Sequence, residues 1–292
     1  MAGFDDVFYS AQDGLMLHAR VYGRAQPGLP VICLPGLTRN ARDFHELALH
    51  LSSQPKSPRP VVAFDYRGRG QSAWASDWTS YDPLVEAQDV LAGLAALDIG
   101  HGLFIGTSRG GLIIMILSAM RPGTIRGAIL NDIGPRIEGE GLAQIRAYLT
   151  GMPKPESMAE AQAILRQVFG PAFTALDDAD WSRMANAIFV EREGRIVPDY
   201  DPSLINPLKS IDFSKPMPEL WAQFDGLGDV PLMAIRGANS RLLSAETLGE
   251  MERRHPGMVT IVVDGQGHAP LLETGDLPAR IAAFAARLDA AA

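Results

Sequence analysis

Leu103-Phe104-Ile105-Gly106-Thr107-Ser108-Arg109-Gly110-Gly111-Leu112 passes from a short apolar run, through a glycine-rich turn, into the apolar stretch that continues to Met120. Its centre, Gly106 to Gly110, matches the Gly-x-Ser-x-Gly pattern in the strand-turn-helix setting that gives the pattern its meaning. The turn is so tight that a side chain on either flank would collide with neighbouring backbone, which calls for glycine. The Ser108 oxygen is thereby pushed clear of the strand, above a helix N-terminus whose amides favour developing negative charge. Two other readings of the segment are a glycine turn with an incidental serine and a phosphate-binding loop. The strand before and the helix after argue against the first, and the missing Gly-Lys-Ser/Thr ending excludes the second.

Outward from this turn the chain repeats the same alternation. Short β-branched runs at Val31 to Leu34, Val61 to Phe64, Leu103 to Ile105 and Ile125 to Leu130 are separated by helical stretches, the pattern of parallel strands covered on both faces. Asp82-Pro83, followed by Leu84, Ala87, Val90, Leu91 and Leu94, reads as an N-cap, a proline at the first helical position and one buried face. Asn40 and Ser244 are similar N-caps for helices running to about His50 and His255. At the start of the chain, Leu15 to Val21 alternates apolar residues with Met16, His18 and Arg20, which predicts a half-buried strand in a hairpin with Phe8 and Tyr9. The alternation stops between Pro135 and Trp221, where three helix-like stretches appear: Leu142 to Leu149, Met158 to Phe169 and Trp181 to Val190. It resumes with strands at Val230 to Ile235 and Val259 to Val263 and a terminal helix near Leu277 to Leu288. The expected fold class is α/β, a doubly wound, mostly parallel sheet with a helical insertion after its sixth strand.

Apolar residues form 47% of the 292 residues and charged ones 21%, enough for a large buried core and against disorder. The formal charge of −8, with no Lys/Arg cluster, argues against nucleic acid and anionic lipid as partners. Arg67 and Arg69, set among glycines, read as turn chemistry. Cys33 is the single cysteine and lies in an apolar run, so it is expected to pack as a small hydrophobe in a reducing compartment. The opening Met1-Ala2-Gly3-Phe4-Asp5-Asp6 lacks the basic and apolar parts of a secretory signal, and no apolar run is long enough to span a bilayer. A cytoplasmic location is the expectation. No Cys/His/Asp spacing suits a metal and no strand leads into Gly-x-Gly-x-x-Gly, so neither metal nor cofactor is expected.

An activated serine needs a base. His268, in Gly265-Gln266-Gly267-His268-Ala269-Pro270 just beyond the last expected strand, sits where a loop brings imidazole over the sheet edge. His18, His45, His50, His101 and His255 have no comparable setting and are read as core or surface residues.

With these pieces in place the sequence resembles the α/β-hydrolase superfamily, in its capped serine-hydrolase branch of esterases and lactonases. The matching segments are Leu34-Pro35-Gly36-Leu37, Phe64-Asp65-Tyr66-Arg67-Gly68-Arg69-Gly70-Gln71-Ser72, the Ser108 turn and the His268 loop, in an order that covers nearly the whole chain. The resemblance implies an oxyanion hole formed by the backbone N–H groups of Leu37 and Arg109. It also implies a hydrolase core of residues 1–134 and 222–292 with a cap of residues 135–221, and acyl chemistry on a small-molecule substrate. Pro35 departs from the usual His-Gly pair, but a backbone donor survives that change. Carboxylester, lactone, thioester and carbon–carbon bond hydrolysis and perhydrolysis share this residue set, and a ligand receptor on the same fold is the alternative outside catalysis.

The same resemblance places a triad acid in Arg236-Gly237-Ala238-Asn239-Ser240-Arg241-Leu242-Leu243-Ser244, and Arg241 stands where aspartate is expected. A guanidinium cannot accept the imidazole N–H. Some relatives draw the acid from the end of the sixth strand, where this chain has Asn131-Asp132-Ile133, so Asp132 is the candidate, with Asp229, Glu246 and Asp264 behind it. An ion pair between Arg241 and Asp132 would compete with that role. Trp74, Trp78, Trp181 and Trp221 are candidates for an apolar pocket or for packing of the insertion. Arg39, Arg42 and Arg109 are candidates for a substrate carboxylate. Oligomeric state is not legible in the sequence.

Overall fold

The computed structural model describes residues 3–212, 215 and 217–289; Met1 and Ala2 of the opening segment, and the last three residues of the expected core, lie outside them. Strand β1 (Asp5–Ser10) and strand β2 (Met16–Tyr22) form the expected hairpin, followed by β3 (Val31–Leu34), α1 (His45–Ser52), β4 (Val61–Asp65), α2 (Pro83–Ala96), β5 (Gly102–Thr107), α3 (Arg109–Met120) and β6 (Ile125–Asn131). The segment after β6 holds α4 (Gly139–Gly151), α5 (Met158–Phe169), α6 (Asp178–Ile188), β7 (Phe189–Arg192), β8 (Arg195–Pro198), α7 (Asn206–Lys209) and α8 (Trp221–Asp225). The chain then returns to β9 (Leu232–Gly237), α9 (Ala245–Arg254), β10 (Val259–Val263) and α10 (Leu277–Asp289).

Eight strands form one sheet in the order β1-β2-β4-β3-β5-β6-β9-β10, parallel from β4 to β10 and antiparallel at the β1-β2-β4 edge. Successive side chains of a strand point to opposite faces, and here both faces are covered. Ile32, Val62 and Phe104 join one core cluster with residues of α2, α3 and α9. Val31, Val61 and Leu103 join the other with α1 and α10. That double burial is why these strands read as unbroken apolar runs.

Helix boundaries follow their caps. Asp82 accepts from the Leu84 amide ahead of Pro83, and Ser244 accepts from the Thr247 amide ahead of α9. Asn40 also caps, but the turn it caps is a 3-10 segment, Ala41–Phe44, that precedes α1. The structure departs from the expected third insertion helix at its end. α6 stops at Ile188, and Phe189 and Val190 enter an antiparallel hairpin with β8. Glu193 and Gly194 at its tip both have positive φ, the conformation a two-residue hairpin turn requires. The inserted helices carry a small core of their own, in which Leu165, Phe173, Trp181 and Phe189 are buried. Among the described residues no helix is long and apolar enough to cross a membrane.

His18 is a core residue, one of the two readings open to it, and the two arginines after β4 go beyond turn chemistry. The His18 ring is fully buried, with Nδ1 2.7 Å from Asp65 Oδ2 and Nε2 2.8 Å from Asp6 Oδ1. Arg67 and Arg69 are also fully buried. Arg67 pairs with Asp89 and Asp13 at 2.6 and 2.9 Å, and Arg69 pairs with Glu86 at 2.7 Å. Turn position alone does not reveal such pairing, because the carboxylates come from α2 and the β1-β2 hairpin.

Candidate active site

Parallel pairing brings the ends of β5, β6 and β9 to one level, with Thr107 opposite Asn131 and Asn131 opposite Ile235. Ser108 and Asp132, the next residues on β5 and β6, therefore emerge side by side at the carboxyl edge of the sheet, where open α/β sheets bind their ligands. Both have positive φ, 52° and 54°, a backbone state that costs energy in a non-glycine residue. Sterics around Ser108 explain its glycines. A Cβ on Gly106 would lie 2.4 Å from the Gly110 carbonyl carbon, and one on Gly110 would lie 2.0 Å from the Leu34 oxygen. Only glycine lets α3 turn back so closely over β3 and β5.

His268 lies in the loop between β10 and α10 and reaches both residues. Its Nε2 is 2.9 Å from Ser108 Oγ and its Nδ1 is 2.7 Å from Asp132 Oδ2. The loop is held in place from several sides. Asn131 Nδ2 donates to the Pro270 carbonyl at 3.0 Å, and Gln266 donates to Thr274 Oγ1 while accepting from the Leu271 amide.

Asp132 is fully buried and accepts from the Gly237 amide at 2.8 Å and from Ser240 Oγ at 2.5 Å as well as facing His268. A carboxylate surrounded by donors is an acceptor at every contact, so Nδ1 carries the imidazole proton and Nε2 is left to accept the Ser108 hydroxyl proton. Arg241 does not compete for this carboxylate. Its exposed guanidinium pairs with Glu140 at 2.6 Å, while Leu242 and Leu243 beside it are buried. Asp229, Glu246 and Asp264 are exposed, and the His268 Nδ1 contact goes to Asp132. Sequence reasoning missed Ser240. It fell within the segment where an acid was sought, and a hydroxyl that supports a distant acid carries no local signature.

Among the described residues the Leu37 and Arg109 amides have no hydrogen-bond acceptor. Both residues line a cavity of about 600 Å³ together with Ser108 and His268. Its walls are largely apolar. Leu142, Ile145 and Leu149 come from one face of α4, Met184 and Ile188 from α6, and Leu204 and Leu208 from the segment that follows the hairpin. The aromatic side chains of this wall are Phe4, Phe44, Tyr148, Phe169, Phe173 and Tyr200; none of the four tryptophans contributes. Trp181 is buried in the insertion's own core, Trp74 and Trp78 are exposed, and Trp221 packs on Phe224 beneath Arg254. The three arginines proposed for a substrate carboxylate already have partners. Arg39 is bidentate on Asp43 at 2.7 Å, Arg42 meets Asp199 at 2.7 Å and Arg109 meets Glu86 at 2.6 Å. A polar corner of the cavity contains Arg39, Asp43, Arg183 and Glu273. Burial, with the Asp43 charge adding to it, pushes the Glu273 carboxyl up to about 7. Among the described residues no group of His, Cys, Asp and Glu is arranged to hold a metal.

Residues 31–284 match the model of the alpha/beta hydrolase family. The chain is 32% identical over 269 residues to the 3-hydroxybutyrate-oligomer hydrolase of Cupriavidus necator, covering 87% of this chain and 88% of the relative. It is 31% identical over 151 residues to Lipase LipV of Mycobacterium tuberculosis, about half of either chain. Among solved structures, an alpha/beta hydrolase from Novosphingobium aromaticivorans superposes with a TM-score of 0.90 at 38% identity, over 98% of this chain and 99% of that one. A family match across most of the sequence, a relative matched nearly end to end and a common architecture lead to one conclusion: this chain belongs to the alpha/beta hydrolase family.

Proposed function

We propose that this ester-acting hydrolase works through an acyl-enzyme on Ser108, and that its substrate is a small ester seated in the apolar cavity beneath a cap formed by residues 135–221. The observation that carries the reading is the continuous line of contacts from Ser108 Oγ to His268 Nε2 and from Nδ1 to buried Asp132. His268 takes the Ser108 proton as Oγ attacks the carbonyl carbon, and Asp132 stabilises the resulting imidazolium and holds the ring in the right tautomer. The negative charge that develops on the carbonyl oxygen meets the free N–H groups of Leu37 and Arg109. His268 then returns the proton to the departing alkoxide. Water enters, loses a proton to the same nitrogen and releases the acid.

Cavity size favours acyl and alcohol parts of modest length, and its apolar wall favours esters over charged substrates. The relationship to a hydrolase of 3-hydroxybutyrate oligomers supports short oligoesters of hydroxy acids as the first substrates to test. A fluorophosphonate probe is expected to label Ser108 in the wild-type protein and nothing in Ser108→Ala, since only an activated serine beside oxyanion donors is phosphonylated quickly. Equal labelling of the variant, or a labelled peptide without Ser108, would falsify the reading. Turnover of 3-hydroxybutyrate dimers and trimers beside p-nitrophenyl butyrate and an acyl thioester then separates an oligoesterase from a general esterase.

A further inference from the structure

Behind the two free amides lies a buried charge network that the serine mechanism does not use. Glu86, in the first turn of α2, is completely buried. Its Oε1 accepts from Arg69 Nη1 at 2.7 Å and its Oε2 accepts from Arg109 Nε at 2.6 Å. Arg69 also donates from Nε to the Leu37 carbonyl at 2.8 Å, and its guanidinium lies 5.5 Å from the Tyr66 ring centre and 5.6 Å from that of Tyr81. Arg109 donates from Nη2 to the Tyr81 carbonyl at 2.9 Å. One carboxylate thus grips, through two arginines, the two residues that offer free amides to the cavity, although those residues come from loops after different strands.

Stability is a poor explanation for such a network. Burying an Arg-Glu-Arg triad costs several kcal/mol per ion in desolvation, and apolar replacements of similar volume are often neutral or stabilising. Arg69 Nη2 is buried with no acceptor among the described residues, which adds to the cost. Oxyanion donors, by contrast, contribute only if they are held where the charge develops, with no reorganisation during the reaction.

We propose that Glu86 is a positioning residue that sets the spacing of the Leu37 and Arg109 amides through Arg69 and Arg109. The inference rests on the reading of those amides as oxyanion donors, so its test separates the two. Loosening the network leaves substrate binding intact and weakens only the bound transition state. Glu86→Gln and Arg109→Met, each checked for folding by circular dichroism, are expected to lower kcat on p-nitrophenyl butyrate by about 10- to 100-fold, at or below the loss of a whole oxyanion donor. KM should stay within about threefold, the signature of an interaction made in the transition state alone. An alkylboronic acid, which forms a tetrahedral adduct on Ser108, should weaken by the same factor as kcat. Arg109→Ala should regain activity with added ethylguanidinium, and this rescue, together with Arg109→Met, decides the matter if Glu86→Gln does not fold.

The independent arm replaces Leu37 in the wild-type background by its α-hydroxy analogue, turning the Gly36–Leu37 amide into an ester without the N–H. If that protein keeps full kcat, the oxyanion reading fails and the proposal falls with it. If it loses kcat while the folded Glu86 and Arg109 variants keep theirs within threefold, only the positioning role is overturned. A fall in kcat with unchanged boronate affinity overturns it as well.

Discussion

Asp132 receives three donors from two separate segments: the Gly237 amide and the Ser240 hydroxyl from the end of β9 and the turn after it, and the His268 imidazole from the loop after β10. Replacing it by asparagine presents an N–H₂ group where every neighbour also donates, so the imidazole is driven to the wrong tautomer. In the comparable protease triad that change costs about 10⁴-fold in kcat, and Asp132→Asn is expected to be similarly severe on p-nitrophenyl butyrate. Ser240→Ala removes one charge-assisted bond of about 1.5–3 kcal/mol; only part of that reaches the transition state, and roughly a tenfold loss is expected. Arg241→Ala, which breaks only an exposed pair with Glu140, should leave kcat within about twofold. Near-equal rates for Asp132→Asn and Arg241→Ala would remove Asp132 from the mechanism. Ser108 and His268 were legible in sequence because each sits in a local pattern, a glycine turn and a post-strand loop. Asp132 needed the resemblance to suggest where an acid can reside. Ser240 was not legible, since its contact to Asp132 spans 108 residues and nothing around it distinguishes it from an ordinary loop serine.

At the scale of elements, the strands and helices of the sheet were readable because each encodes its own burial: unbroken apolar runs for strands covered on two faces, capped amphipathic stretches for helices. The segment between β6 and β9 was harder, because its hairpin follows α6 without a break and Phe189 and Val190 extend the helix's apolar pattern. Which side chains of that segment face the cavity was not legible either. Large aromatics suit a small core as well as a pocket, and Trp181 took the core. The wall is instead set by α4, whose Leu142, Ile145 and Leu149 recur at helical spacing along one face. This gives the segment a testable role in chain-length selection. Ile145→Trp is expected to fill the far space and cut kcat/KM for p-nitrophenyl decanoate at least about tenfold, consistent with several methylenes losing burial at about 0.8 kcal/mol each. Activity on the acetate, whose acyl part ends in a single methyl group, should change by less than about threefold. A uniform fall across acetate, butyrate, octanoate and decanoate would show that α4 does not measure the substrate.

For the whole molecule, the buried charges predict how stability depends on pH. Carboxylates such as Glu86 and Asp201, held below their usual range by Arg69 and Arg109 in one case and by hydrogen bonds from Tyr81 and Ser203 in the other, against the opposing effect of burial, support the fold above the ordinary carboxylate range and lose that contribution as acid protonates them. His18 acts in the opposite direction. Burial opposes its charge, yet Asp65 and Asp6 raise it above 6.5, so its contribution is complete below that value and fades as pH rises through the raised one. Glu273 has the same slope for a different reason. Burial holds its carboxyl at about 7 against an ordinary 4.5, so between those values the folded chain binds more protons than the unfolded one, and stability falls as pH rises through the interval. The wild-type melting temperature should therefore peak in mildly acidic solution, between about pH 5 and 6.5. Glu273→Gln isolates one part of this curve, because the amide keeps the shape of the neutral acid and never ionises beside Asp43. At pH 4, below both values, the variant and wild type should melt together. At pH 8.5, where the wild type must either carry a charge in the cavity or distort to hydrate it, the variant should melt several degrees higher, each kcal/mol being worth about 2–4 °C in a chain somewhat smaller than this one. Parallel melting curves from pH 4 to 8.5 would mean that the Glu273 carboxyl is hydrated in the folded protein and that this corner of the cavity is open to solvent.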